Sequence, residues 1–180
     1  MPIEVEKKYR LTEKQAESVI AALDEAGARY IGEDEEENII YSGSTLSEKN
    51  AVLRLRKIRE RALLTYKKRL AGDGDIKKQA EEETEVEDPA AMQKIVTELG
   101  FVPVLIYEKR RRKWSYRSVE IVVDELPFGL YMEIEGSVTS IRETELLLDL
   151  DDLESVHETY PQLTARYGKR NGEVIEARFQ

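Results

Sequence analysis

Charged side chains recur at every second position along several segments of this chain, and their types suit one kind of ligand. Glu4, Glu6 and Lys8 alternate with Ile3 and Val5; Arg54 and Arg56 alternate with Leu53 and Leu55. Lys67 follows on the next segment, then Glu81, Glu83 and Glu85, then Lys109 and Arg111, then Asp124, and finally Glu133 and Glu135. Side chains two apart share one face of a strand. Sets of carboxylates suit a hard divalent cation held through oxygen, whereas Arg and Lys suit phosphate oxygens. A ligand that needs both is a metal-bound polyphosphate. Taken alone, Glu4, Glu6 and Lys8 are simply the wet face of an edge strand; their repetition on other strands argues for a shared interior.

The elements that must carry these residues alternate between strands and capped helices. Thr12 and Gln15 form a capping box before Ala16, Val19, Ile20 and Leu23, which gives a helix ending at Gly27. The acidic run Glu33 to Glu37 reads as a solvated loop or strand end, with a strand over Asn38 to Tyr41 closed by a turn at Ser42-Gly43-Ser44. Strands are expected over 51–59, 62–68 and 78–87, with a Gly-rich loop at Ala71 to Asp75 between the last two. Asp88 and Pro89 start a second helix with Met92, Ile95, Val96 and Leu99 as its apolar stripe. Strands over 102–116, 118–124 and 131–135 follow, then helices over 140–150 and 161–167 and a last strand within 173–179.

Composition bounds the possibilities. With 180 residues and 41% hydrophobic content, the chain suffices for one domain over residues 1–180. A charged fraction of 36%, against roughly 25% in ordinary globular proteins, requires charge to be accommodated beyond a thin rim. The net charge of -9 argues against nucleic acid as a partner. Without cysteine there is no disulfide, thiolate nucleophile or thiolate metal site. No apolar run approaches a membrane span, so no membrane partner and a cytoplasmic location are expected. The charges on the helices single out no interface, which leaves monomer and homodimer open.

A closed antiparallel sheet would turn the charged faces inward and cover the apolar faces with helices. The expected fold is therefore α+β, a closed antiparallel β-tunnel with flanking helices. Dry burial of that much charge is prohibitively costly, so the tunnel must be wet and must compensate itself or its contents.

Glu4-x-Glu6-x-Lys8 resembles the E-x-E-x-K signature of the CYTH superfamily, the triphosphate tunnel metalloenzymes, which include thiamine and inorganic triphosphatases and class IV adenylyl cyclases. The resemblance continues in order through Leu53-Arg54-Leu55-Arg56, Leu64-Thr65-Tyr66-Lys67, Glu81-x-Glu83, Glu108-Lys109-x-Arg111, Val123-Asp124 and Gly129-x-Tyr131-x-Glu133-Ile134-Glu135, over roughly residues 3 to 136. It implies a tunnel of about eight strands in which Lys8, Arg54, Arg56, Lys67, Lys109 and Arg111 grip a triphosphate. It also implies a metal floor, for Mg²⁺ or Mn²⁺, of Glu133 and Glu135 with Glu81, Glu83 and Asp124. Glu4 and Glu6 would hold a second metal or orient the attacking water as the catalytic carboxylates. Lys68-Arg69 stands where the family often has Gly-Pro, Gln79 where a basic residue often precedes the acidic strand, and Asn38 where an Asp is common.

Bland readings compete at three places. Lys109 to Lys113 could form a nucleic-acid patch beside Trp114 and Tyr116, but a strand splits the run between its two faces. His157, the only histidine, cannot build a histidine zinc site and reads as a surface residue. Tyr160, before Pro161, reads as a packing residue that caps the tunnel's end.

Two chemistries suit a triphosphate in such a tunnel. A triphosphatase directs water in line at the terminal phosphorus; an adenylyl cyclase directs the ribose 3′-hydroxyl of ATP at the α-phosphorus and releases pyrophosphate. No base or ribose pocket is identifiable, so triphosphatase is the expected activity and cyclase the alternative. A binding module that holds polyphosphate without turnover is a third reading, disfavoured by carboxylates facing the ligand.

Overall fold

A computed structural model, describing residues 1–71 and 75–180, turns the alternating segments into long strands that close on themselves. The first half of the chain forms β1 (Ile3–Leu11), α1 (Glu13–Glu25), β2 (Arg29–Ser42), α2 (Ser44–Glu48), β3 (Ala51–Ile58), β4 (Arg61–Arg69) and β5 (Lys77–Val86). The second half forms α3 (Pro89–Glu98), β6 (Val102–Tyr116), β7 (Val119–Leu126), β8 (Gly129–Glu135), α4 (Val138–Leu147), β9 (Glu154–Ser155), α5 (Tyr160–Tyr167), β10 (Lys169–Asn171) and β11 (Val174–Ala177).

Eight strands run in the order β6-β2-β3-β4-β5-β1-β8-β7, and pairing of β7 with β6 closes the ring. All of these pairings are antiparallel. The fold is thus the expected α+β closed barrel, which leaves no long edge to be capped. β6 is long enough to share its second edge: Arg110 to Tyr116 pair with β7, while Leu105 to Tyr107 pair in parallel with β11.

Alternation sends the apolar faces outward, where helices cover them. Tyr9 and Leu11 of β1, Ile121 and Val123 of β7 and Met132 and Ile134 of β8 pack with Ala16, Val19 and Leu23 of α1 and Ile141 of α4. On the opposite side, Ile39, Tyr41 and Leu55 pack with Val96 of α3. The helix starts follow the expected caps: Thr12 and Gln15 form their box, and the Asp88 carboxylate accepts from the N–H groups of Ala90 and Ala91.

Two segments depart from expectation. The acidic run Glu33 to Glu37 is neither loop nor strand end but the middle of β2. Its partner β6 supplies the reason: Glu33, Asp34, Glu35 and Glu36 lie opposite Arg112, Arg111, Arg110 and Lys109, pairs of opposite charge that favour the ladder. The turn expected at Ser42-Gly43-Ser44 leads into α2, whose Leu46 is buried. The loop expected over Ala71 to Asp75 has its centre, Gly72, Asp73 and Gly74, outside the described residues. No helix among the described residues is long and apolar enough to cross a membrane.

Candidate active site

The barrel register decides which charged residues meet. On β1, Lys8 lies opposite Glu133 and Glu6 opposite Glu135 across the β8 ladder, while Glu4 lies opposite Gln79 on β5. On the far wall Arg54 pairs in register with Thr65, and Lys67 with Glu81. All of these except Thr65 line one cavity of about 300 Å³, at the lower end of the range for small-molecule sites. All six cations assigned to phosphate line it: Lys8, Arg54, Arg56, Lys67, Lys109 and Arg111. So do Glu4, Glu6, Glu81, Glu83, Glu133 and Glu135. Asp124 does not; it lies wholly buried behind Arg111.

With no ligand between them, the charges compensate one another. Glu133 accepts from Arg111 at 2.7 Å and faces the Lys8 ammonium at 3.2 Å. Burial by itself would raise the Glu133 pKa, but Lys8, Arg111 and Lys109 outweigh it and hold the carboxyl well below the usual carboxylate range. Glu83 accepts from the Thr65 hydroxyl at 2.7 Å and lies 3.8 Å from Arg54 and 3.9 Å from Arg56. Lys67 bridges Glu4, at 2.7 Å, and Glu81. Burial, and next the hydrogen bond shared with Glu4, push Glu81 up to about 7 against the pull of Lys67.

Glu135 differs from the rest. It has no ion-pair partner among the described residues, and burial followed by the charges of Glu4 and Glu120 pushes it up to about 7. A carboxyl group set among like charges in a polar cavity is short of positive charge, and hard oxygen donors are what Mg²⁺ or Mn²⁺ takes. The donor set therefore fits a divalent cation. Among the described residues no three carboxylates converge as a finished cation cage.

Lys113 and Glu120 line the cavity as well, 3.2 Å apart, and four further residues of the cavity or its wall bear on its charge and shape. Glu36, 4% exposed, lies 3.2 Å from Lys109 and 3.8 Å from Arg56. Its period-two spacing from Asn38 and Ile40 was a usable signal, masked by the acidic neighbours that make the run look solvated. Lys77, two residues before Gln79 and on the same face, is buried 3.7 Å from Glu6, so the basic residue missing at Gln79 is supplied one pleat earlier. Burial, and then repulsion from Lys8, bring its pKa down to about 8. Tyr107 lines the cavity two residues before Lys109. Tyr160 of α5 lines it as well, at the end where Ile40, Tyr107 and Tyr131 cluster. Arg110, by contrast, faces outward, where it pairs with Glu35 and Glu125, so the basic run is divided as a strand requires.

The CYTH domain matches residues 2–167 of the chain. No curated protein matches the sequence significantly. Among solved structures, PH1012 from Pyrococcus horikoshii OT3 is 23% identical with a TM-score of 0.75, over 87% of this chain and 96% of that one. A candidate adenylate cyclase from Vibrio parahaemolyticus is 22% identical with a TM-score of 0.71, over 91% and 98%. HpAC1 from Hippeastrum, described as a candidate adenylyl cyclase with a dominant triphosphatase activity, is 19% identical with a TM-score of 0.67, over 94% and 98%. At these identities the likeness is one of fold.

Proposed function

The chain belongs to the CYTH domain family, and we propose that it is a divalent-metal-dependent triphosphatase acting on inorganic, thiamine or nucleoside triphosphate. The observation that carries this reading is the convergence of seven cations, Lys113 among them, on one small cavity that also holds Glu135, a carboxyl group without an ion-pair partner among the described residues. Lys8, Arg54, Arg56, Lys67, Lys109 and Arg111 bind the phosphate oxygens. Glu133 and Glu135, with Glu81 and Glu83, would hold Mg²⁺ or Mn²⁺, which supplies Lewis-acid polarisation of a phosphoryl oxygen when bound. Glu4 and Glu6 orient the attacking water and accept its proton. Water oxygen bonds to the terminal phosphorus as the P–O bond to the diphosphate breaks, and the charge that develops on the leaving group is met by the Lys and Arg side chains.

The test is incubation with tripolyphosphate, ATP and thiamine triphosphate in Mg²⁺ or Mn²⁺, with the products identified. Orthophosphate release is expected. Cyclic AMP from ATP with no orthophosphate from any substrate would establish the cyclase instead, and tight tripolyphosphate binding with no hydrolysis over hours would establish a binding module. Glu133→Gln is expected to abolish turnover; activity equal to that of the parent protein would remove Glu133 from the site.

A further inference from the structure

The first turn of α5 comes from beyond the ordered set of tunnel motifs, yet it reaches the cations. Tyr160, 6% exposed, donates its hydroxyl to Asp124 Oδ2 at 2.6 Å. The same carboxylate, wholly buried, accepts Arg111 Nε on Oδ1 at 2.7 Å and Arg111 Nη2 on Oδ2 at 2.6 Å. On the ring side, the Lys8 ammonium lies 3.8 Å from the Tyr160 centroid and the Lys109 ammonium 5.2 Å from it. One side chain thus holds three phosphate-facing cations, Arg111 through Asp124 and the two lysines through its π face. Both Asp124 oxygens are engaged in doing so, and the carboxylate is withdrawn from the cavity lining.

We propose that Tyr160 is a positioning residue for triphosphate binding, which acts through Asp124 on Arg111 and through its ring on Lys8 and Lys109, and that Asp124 orients Arg111 instead of holding metal. The inference rests on the triphosphate reading of the cavity. Long cationic side chains lose rotamer freedom when a ligand fixes them, and fixing them beforehand removes that cost from binding. The π face suits this purpose, because a neutral ring holds an ammonium without neutralising it.

Tripolyphosphate binding measured by calorimetry in EDTA isolates this role from the metal. Tyr160→Phe keeps the ring and loses the hydroxyl, so affinity is expected to fall about three- to tenfold, the value of one immobilised side chain. Tyr160→Leu loses both contacts and is expected to bind about thirtyfold or more weakly. A residue that merely packs would lower the melting temperature in both variants with affinity unchanged well below it. Binding by Tyr160→Phe within twofold of the parent protein overturns the proposal, whether or not Tyr160→Leu folds. For Asp124, Mn²⁺ affinity followed by electron paramagnetic resonance is expected to stay within about a hundredfold of the parent protein in Asp124→Asn, the range for a residue that supports a ligand; a larger loss would make Asp124 a ligand. Absence of tripolyphosphate binding by the parent protein in Mg²⁺ as well as in EDTA would overturn the triphosphate reading itself, whereas binding that Tyr160→Phe leaves intact overturns only the role of Tyr160.

Discussion

Glu36 sits among the cavity's cations with almost no access to water, and it serves them as an internal counter-ion. Burial alone would raise its pKa, but Lys109 and Arg56, helped by Arg111 and Arg54, hold the carboxyl well below its ordinary range. Removing one partner of such a buried set leaves uncompensated charge, so Glu36→Gln is expected to lose about 3–5 kcal/mol of stability in urea denaturation. Tripolyphosphate can replace the missing charge and is expected to raise the melting temperature of Glu36→Gln more than that of the parent protein. Equal shifts in a thermal-shift assay would mean that Glu36 is not the counter-ion of these cations. At this scale the six cations and the inward carboxylates of β1, β5 and β8 were readable from period-two spacing. The partners of Glu36 and Asp124 were not, because spacing gives the face on which a charge lies but not the charge it meets.

On the outer face of β1, Lys7 interrupts an otherwise apolar row and is nonetheless buried, paired with Asp75 and Glu145. Arg142 of α4 also reaches Asp75, at 2.8 Å, and Tyr9 donates to Glu145 at 2.6 Å. The cluster ties the start of β5 to α4 across β1. The hydrogen bond from Lys7, joined by that from Arg142, outweighs burial and lowers Asp75 from 3.8 to about 2. A carboxyl whose folded pKa is depressed contributes stability above its unfolded pKa and loses it as pH falls through the folded one. The stability difference between the parent protein and Asp75→Asn is therefore expected to be constant near neutrality and to shrink from about pH 4 to about pH 2. Urea titrations at several pH values would show this, and a difference that stays constant throughout the acid range would refute it. Among the elements, helices with strong caps were legible to within a few residues, since capping is local chemistry. β2 was half missed, because its acidic run becomes a strand only when β6 lies opposite.

For the molecule as a whole, a net charge of -9 encloses a cavity lined by seven cations and seven carboxylates, so the overall charge opposes an anion outside, and inside it is the placement of the cations, not an excess of them, that suits phosphate. A ligand that binds only the closed barrel stabilises it by mass action. Tripolyphosphate at about a hundred times its Kd is expected to add about 2.7 kcal/mol, with a melting temperature that climbs with concentration; a flat response would argue against a preformed site. The sequence by itself determined the strand faces, the helix caps and the types of ligand those faces suit, because alternation and capping are dictated by backbone geometry over a few residues. Only the tertiary structure decided which charges face each other. The order in which β6, β2, β3, β4, β5, β1, β8 and β7 close sets the cross-strand registers, and long-range packing brings Tyr160 from α5 to Asp124 on β7, 36 residues away in sequence. Those contacts depend on register and closure, which no local pattern of residues encodes.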